Sequence, residues 1–474
     1  MPAKTASDPK QPPRRSGRRR LTAAAGLVAA LVLSACTAAS PRAEAPSRAA
    51  AAPLTLPPVK VFTTPQPQAP RRSNSEIARD FLDLHFQLEG GSTLPQFTRF
   101  ETPITVRVTG TPPPGFSREL NALFVRLRSE AGISIRQTAK EEAGVTIQLV
   151  PRSDIRRALP KAACFVVPNV SSLAEYRRNR RSPRTNWALL RKRERLAVFI
   201  PNDTSPQEVR DCLHEELAQA IGPLNDLYRL PDSIFNDDNM HAVLTGFDML
   251  ILQATYAPEL QTGMTREQVA ARLPAILTRL NPRGARGTAS GLPQTPRAWA
   301  AAYEKALGPQ TSLRERLRAA NRAAEIARDL GWRDHRRALS HYTLGRMLHI
   351  REPELALQHF LTAQTFLRAI PGTEIHQAKL TIHLAAYDVA TGNGDSALAR
   401  LKPAVAAAAT HENAALLSTL LMLQAEALEL TGRMVEARRV RLDSLGWARY
   451  GFGPDWVVEA RMEEVAALRP SSGS

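Results

Sequence analysis

Aromatic residues are scarce in this 474-residue chain, at 5% of positions, and cysteine is scarcer still, with three. So few cysteines exclude a small scaffold stapled mainly by disulfides. Acidic residues are in deficit too: 45 Asp and Glu face 63 Lys and Arg, a formal charge of +18. The apolar run LTAAAGLVAALVLSA (21–35) falls short of the roughly 20 residues that span a bilayer as a helix. The chain contains no G-x-S-x-G elbow, no Walker loop and no dinucleotide fingerprint, which removes the commonest hydrolase and nucleotide sites. What remains is a globular composition, 43% hydrophobic, with 36 prolines crowded toward the N-terminus. The length suits roughly three domain-sized units.

Arg14, Arg15, Arg18, Arg19 and Arg20 precede the apolar run, the layout of an export signal over residues 1–35. The run ends in Leu33-Ser34-Ala35-Cys36, which resembles the lipobox of bacterial lipoproteins. That resemblance implies cleavage before Cys36 and a diacylglycerol on its thiol. With Thr37 rather than Asp next, it also implies an outer-membrane lipoprotein facing the periplasm. A soluble secreted protein, cut at an A-x-A-like site, is the alternative. Residues 1–35 hold seven of the cations and one Asp, so the remainder carries +12. In a cell envelope that charge meets anionic lipid headgroups and polymers, not nucleic acid. With Cys36 lipidated, Cys164 and Cys212 are left as a pair in an oxidising compartment. A bridge between them would close a loop of roughly 48 residues and contribute about 4 kcal/mol; two free buried thiols are the other reading.

Residues 36–72 are rich in Ala and Pro without an apolar period, an extended and partly polyproline tether. Ser73 and Glu76 have capping-box spacing ahead of IARDFLDLHF, which predicts a helix start. PITVRVTG (103–110) and VTIQLV (145–150) alternate like half-buried strands, and ELNALFVRLRSEAG (119–132) has helical spacing. ACFVVP (163–168) and LAVFIP (196–201) are continuous apolar runs suited to central strands, and HAVLTGFDMLILQATY (241–256) predicts an apolar helix. The first domain therefore reads as α+β over residues 73–285. A turn-rich hinge follows at 284–295, and helical spacing fills 296–470. Ala356, Ala397 and Ala437 recur at intervals of about 40, and Gly392 and Gly432 each stand five residues before the last two. YTLGRMLH and LALQHFLTAQTFL resemble the tetratricopeptide pattern at Leu344, Gly345, Ala356, Phe360 and Ala363. The resemblance implies an all-α solenoid of helix pairs whose concave groove holds a protein partner. A plain helical bundle is the alternative.

The chemistry-bearing stretch is CLHEELAQAIGPLNDLYRLPDSIFNDDN (212–239). An H-E-x-x-H motif puts two imidazoles on one helix face to hold zinc, with the Glu as base. Counted from His214, the second ligand would be Ala218, which has no donor atom. Shifted by one residue, Glu215, Glu216, Gln219, Gly222 and Asn225 fall on the pattern H-E-x-x-H-x-x-G-x-x-H/D of the metzincin zinc proteases. Ser233-Ile234-Phe235 resembles the Met-turn of the same class. The resemblance implies a zincin-like domain that keeps the general-base Glu216 and the turn Gly222 but has degenerate ligand positions at Glu215, Gln219 and Asn225. Together with DFLDLHF, ACFVVP and YAPELQTGM, the stretch also resembles the bacterial domain-of-unknown-function family 2927 across roughly residues 73–285. That family implies an envelope context and supplies no activity.

Zinc favours imidazole and thiolate over neutral amides, so the site is expected to hold no metal and no other cofactor, with Gln219 and Asn225 hydrogen-bonding the turn. Two alternatives keep a metal: calcium gathered by Asp226, Asp237 and Asp238, or zinc rescued by His214 and His241. A third is metal-free: Glu216 with a raised pKa acting on peptide or glycan, paired with Glu215, Asp226 or Asp237. The plainer reading makes Glu215 and Glu216 ordinary helix carboxylates. His341, His349, His359, His383 and His411 lack metal spacing and read as packing or surface residues. YRRNRRSPRTNWALLRKRER (176–195) holds nine cations in twenty residues, either a solvated loop or a contact for anionic envelope polymer. The expected protein is a lipid-anchored envelope component that binds a protein partner on its repeats. The alternative is an envelope hydrolase of peptide or glycan using Glu216 as general base.

Overall fold

The computed structural model describes residues 56–63, 65, 67–286, 291–308 and 311–470. The export segment, Cys36 and the first part of the tether lie outside the described residues.

Five strands form one sheet: β1 (Ile104–Gly110), β2 (Ile135–Gln137), β3 (Val145–Val150), β4 (Phe165–Pro168) and β5 (Leu196–Pro201), in the order β2-β1-β3-β5-β4. Four run parallel, and only β4 is antiparallel, along the edge of β5. This is a mostly parallel α/β layering where the sequence reading expected α+β; short apolar runs mark strands without revealing the direction in which they pair. Every residue of β5 is buried, because both faces of the sheet are covered. Leu196, Val198 and Ile200 enter the main core with α1 (Asn74–Phe86), α2 (Phe116–Ala131) and α5 (Pro206–Ile221). Ala197 and Phe199 face a smaller core with α3 (Arg152–Ala158) and α4 (Leu173–Asn179). A strand enclosed on both sides has no polar face to alternate with, which accounts for the unbroken run LAVFIP.

The capping box at the start of α1 is formed: the Ser73 hydroxyl accepts from Glu76 N–H, and the Glu76 carboxylate from Ser73 N–H. The apolar segment 241–256 is helical only from Gly246, as α6 (Gly246–Thr255). Thr245 caps it, with Asp248 completing a second capping box, so the residues before Thr245 cannot continue the helix. Leu244 instead gives its N–H to His214 Nδ1 at 3.2 Å. The domain closes with α7 (Arg266–Leu280). Cys164, just ahead of β4, is disulfide-bonded to Cys212 of α5, with sulfurs 2.07 Å apart, which ties α5 to the edge of the sheet.

Nine α-helices follow among the described residues: α8 (Arg297–Leu307), α9 (Leu313–Asp329), α10 (His335–Leu348), α11 (Pro353–Arg368), α12 (Glu374–Ala390), α13 (Gly394–Thr410), α14 (Ala414–Leu430), α15 (Met434–Phe452) and α16 (Asp455–Ala466). The pairs opening with α10, α12 and α14 begin 39 and then 40 residues apart, matching the spacing of the small residues. Gly345 belongs to the closest approach within a pair, since a Cβ there would lie 2.5 Å from the Phe360 ring. Gly392 and Gly432 end α12 and α14 in the left-handed conformation (φ 76° and 78°). At the corresponding end of α13 stands Glu412, also left-handed (φ 53°), a conformation that costs a non-glycine residue about 1–2 kcal/mol.

The reason for a charged residue there is Arg210. This α5 side chain is buried, pairs with Glu119 of α2 at 3.2 Å, and makes a second ion pair with Glu412 from the helical region. The helices are further fastened to the first domain by His335 Nε2 on Tyr228 O (2.6 Å), His376 Nε2 on Asp238 (2.7 Å) and Trp299 packed edge-on to Tyr228. The later part of the proline-rich segment is extended and runs along both. Lys60 N–H bonds Gly446 O, Phe62 stacks on Trp447 with centroids 4.4 Å apart, and Arg72 pairs with Asp80 and Asp232 at 2.6 Å each.

Arg210→Met should cost about 3–5 kcal/mol in denaturant unfolding, because it strands two carboxylates without their cation. A loss below about 1 kcal/mol would show that the pair does not hold the two regions together. The Cys164→Ala, Cys212→Ala double variant should lose about 4 kcal/mol in the same measurement, from the entropy of the opened loop.

Candidate functional site

Helix α5 carries His214, Glu215, Glu216 and Gln219, with Gly222 at its C-cap and Asn225 in the loop after it, and its surroundings fix what each residue can do. Ser205 caps its start by accepting from Glu208 N–H. Its far end is capped by a side chain that the sequence hides. Arg193 is 4% exposed and donates to the carbonyls of Gln219 and Ala220 (2.8 Å each) and Gly222 (2.6 Å). A cation on the last carbonyls of a helix satisfies orphaned acceptors and complements the dipole. Gly222 is required by packing as well, since a Cβ there would stand 2.6 Å from Leu252. The segment 176–195 is therefore not uniformly solvated. Arg193 is structural and Arg195 pairs with Glu175, while Arg178, Arg180 and Arg181 are exposed.

Two of the three positions that the sequence pattern singles out, Gln219 and Asn225, hold the loop after α5. Gln219 Nε2 donates to Asp226 Oδ2 at 3.2 Å, and Asn225 Nδ2 donates to Asp83 O at 3.0 Å. Arg229 completes the arrangement, bonding Asp80 and Asp83 of α1 at 2.8 and 2.7 Å. Ala218 is sealed in the core. His214 is buried and held well below the usual imidazole range by that burial and by Arg210 and Arg126, so it is a neutral acceptor for Leu244 N–H. His241 bonds Pro231 O at 2.9 Å. Phe235 is fully buried, and Asp248 fastens the turn at 233–235 by accepting from Ser233, Ile234 N–H and Thr245 N–H. Asp238 is committed to Asn236 Nδ2, Met240 N–H and His376. Among the described residues, no three His, Cys, Asp or Glu side chains converge closely enough to hold a metal ion.

What the structure does gather is carboxylates. Glu89 from the loop after α1, Asp226, Asp237 and Glu304 of α8 line a cavity of about 550 Å³, together with the cations Arg229 and Arg297. Asp237, on the rim, is pushed up to about 7 by the protein around it and by Glu89 and Glu304. Burial, then Glu215 and Glu89, hold Asp226 well above the carboxylate range. Glu215 is raised by burial, then by Glu216 and Asp211. Glu216 is 5% exposed, its Oε2 has no hydrogen-bond partner, and burial with help from Glu89 pushes it up to about 8. Neither Glu215 nor Glu216 lines the cavity. A second cavity, of about 590 Å³, lies beneath the proline-rich segment between Phe247 and Trp332 and contains none of the ligand positions. Sequence reasoning missed Glu89, Glu304 and Arg193, since nothing local distinguishes them from neighbouring surface charges.

Glu216 gives a direct test of this electrostatic picture. Its folded pKa of about 8 exceeds its unfolded value of 4.5, so the fold favours the protonated form. The associated stability is complete below the unfolded value and is lost as pH rises through the folded one. Glu216→Gln, permanently neutral, should match the wild type near pH 4 and exceed it by on the order of a few kcal/mol at pH 9 in urea unfolding. A pH-independent difference would mean that Glu216 has a compensating partner.

Residues 74–275, the sheet domain through most of α7, match the family described as a protein of unknown function (DUF2927). No curated protein and no solved structure matches the chain. The matched span is less than half of the 474 residues and stops short of the helical region, so the family match accounts for the domain that carries α5.

Proposed function

We propose that this is a lipid-anchored component of a bacterial cell envelope, facing the periplasm, that binds a protein partner on tetratricopeptide-like repeats. In this reading the first domain is zincin-like in shape and works without a metal, as a rigid mount for the repeats. The observation that carries the reading is the engagement of the ligand positions. Gln219 and Asn225 have their amides turned to Asp226 and the Asp83 carbonyl, and His214 is spent on Leu244. A zinc site would have to break these bonds and still find imidazole or thiolate donors. The buried attachments through Arg210, His335 and His376 support the role of mount, since they hold the helical region as one body with the domain. Enclosure of Glu216 away from the cavity favours binding over hydrolysis, because a general base must reach the proton it removes. Export and lipidation at Cys36 rest on the resemblance of the first 36 residues to a lipoprotein signal.

Elemental analysis of the protein, purified from periplasm or membrane without chelators or a histidine tag, is expected to find no stoichiometric zinc. One zinc per chain would overturn the reading and turn attention to peptide hydrolysis. Removing residues 296–474 is not a clean test of partner binding, because it would bare Tyr228 and strand Arg210 and Asp238.

A further inference from the structure

The buried cations of the protein have acceptors: Arg210, Arg229 and Arg336 each lie against a carboxylate, and Arg193 against three helix carbonyls. Two half-buried cations where α10 meets α12, Arg346 and Lys379, are without a carboxylate among the described residues. On α12, His376, Lys379 and His383 follow one another at intervals of three and four residues and so share one face. On α10, Tyr342, Arg346 and His349 do the same, and the two faces meet: the His383 ring lies 5.4 Å from Tyr342 and 6.5 Å from His349.

The first position along α12 is already filled, and what fills it is informative. Asp238, from a non-helical loop of the first domain, places a carboxylate oxygen 2.7 Å from His376 Nε2. One turn further on, Lys379 and Arg346 have no carboxylate at ion-pair distance among the described residues, and the charges felt by Lys379 are Arg346 and Arg461 of α16. Arg461 pairs on its own helix with Glu464. Burial and these two arginines hold the Lys379 ammonium down to about 8, and burial with Arg346, Lys379 and His349 keeps His383 down to about 3. Arg346 lies over the Tyr342 ring, 5.8 Å from its centroid, but no carboxylate offsets the repulsion between it and Lys379, a state that an incoming anion would correct.

We infer that this pair of helix faces takes an acidic segment of a protein partner, with a carboxylate seated between Lys379 and Arg346 as that of Asp238 is seated on His376. The inference rests on the partner-binding reading and adds its chemistry. A peptide is favoured over a phosphorylated polymer or lipid because the anion already seated on the neighbouring position of α12 is an aspartate carried by a protein turn. Arginine adds a planar fork suited to a carboxylate, and lysine a mobile point charge beside it.

The test uses the whole protein and a fluorescein-labelled ten-residue peptide of alternating Glu and Ala, followed by anisotropy at low salt. Saturable binding is expected, with none for the Gln–Ala counterpart. Lys379→Gln and Arg346→Gln should each weaken it about tenfold or more, a difference of about 1.4 kcal/mol per decade. Both variants should keep the wild-type unfolding temperature or raise it, since each removes an uncompensated charge. Substituting Arg178, Arg180 and Arg181 by Gln on the exposed basic segment should leave binding unchanged. Absence of saturable binding, wild-type affinity in the Lys379 and Arg346 variants, or loss in the surface variants would overturn the inference. So would polyphosphate displacing the peptide far below the concentration at which unlabelled peptide does. A natural partner that still co-purifies with the Lys379→Gln, Arg346→Gln double variant would remove the acidic-segment inference while the partner-binding reading stood, and zinc content reports on the first domain separately.

Discussion

One guanidinium, Arg210, is the point on which two bodies of structure depend. It projects from the helix that also carries Cys212, His214, Glu215 and Glu216, and it is shared between Glu119 of the sheet domain and Glu412 of the helical region. A buried cation must be neutralised by well-placed anions. That requirement fixes α2, α5 and the α13–α14 turn relative to one another. It also explains a local oddity, the left-handed backbone at Glu412 where the other helix pairs use glycine. The turn accepts an unfavourable conformation because the side chain it presents is needed elsewhere.

The same helix and the loop after it turn polar side chains to local structure: Gln219 to Asp226, Asn225 to the α1 backbone, and His214 to the residue ahead of the α6 cap. Around them lie carboxylates from α1's trailing loop, α5, the 226 and 237 turns and α8, among which Glu216, Asp226 and Asp237 are pushed above the usual carboxylate range. Such a cluster costs stability in proportion to its ionisation, and the protein limits that cost by keeping the innermost members protonated.

Much of the layout was legible from spacing alone. The capping box at Ser73, the strand at 145–150, the repeat interval near 40 and the Cys164–Cys212 pair all leave local marks. Three things were not legible, each for a physical reason. The direction of strand pairing depends on crossovers, not on the strands themselves. The late start of α6 is decided by Thr245 and by a hydrogen bond to His214, thirty residues earlier in the chain. The carboxylate cavity joins Glu89 to Glu304 through space, across segments with no common motif. Arg193 is the sharpest case, one buried cap inside a run of otherwise surface-facing cations.

The extended segment ahead of α1 has a mechanical consequence. Residues 56–63 lie on α15, through Lys60 on Gly446 and Phe62 on Trp447, and only afterwards does Arg72 reach Asp80 and Asp232 of the first domain. Tension applied from the N-terminal side is therefore borne first by the last helix pair, where a stacked ring and a backbone hydrogen bond resist it. The doubly paired arginine takes the load only after those contacts yield. A chain pulled from that end would load its contacts on α15 before the Arg72 ion pairs.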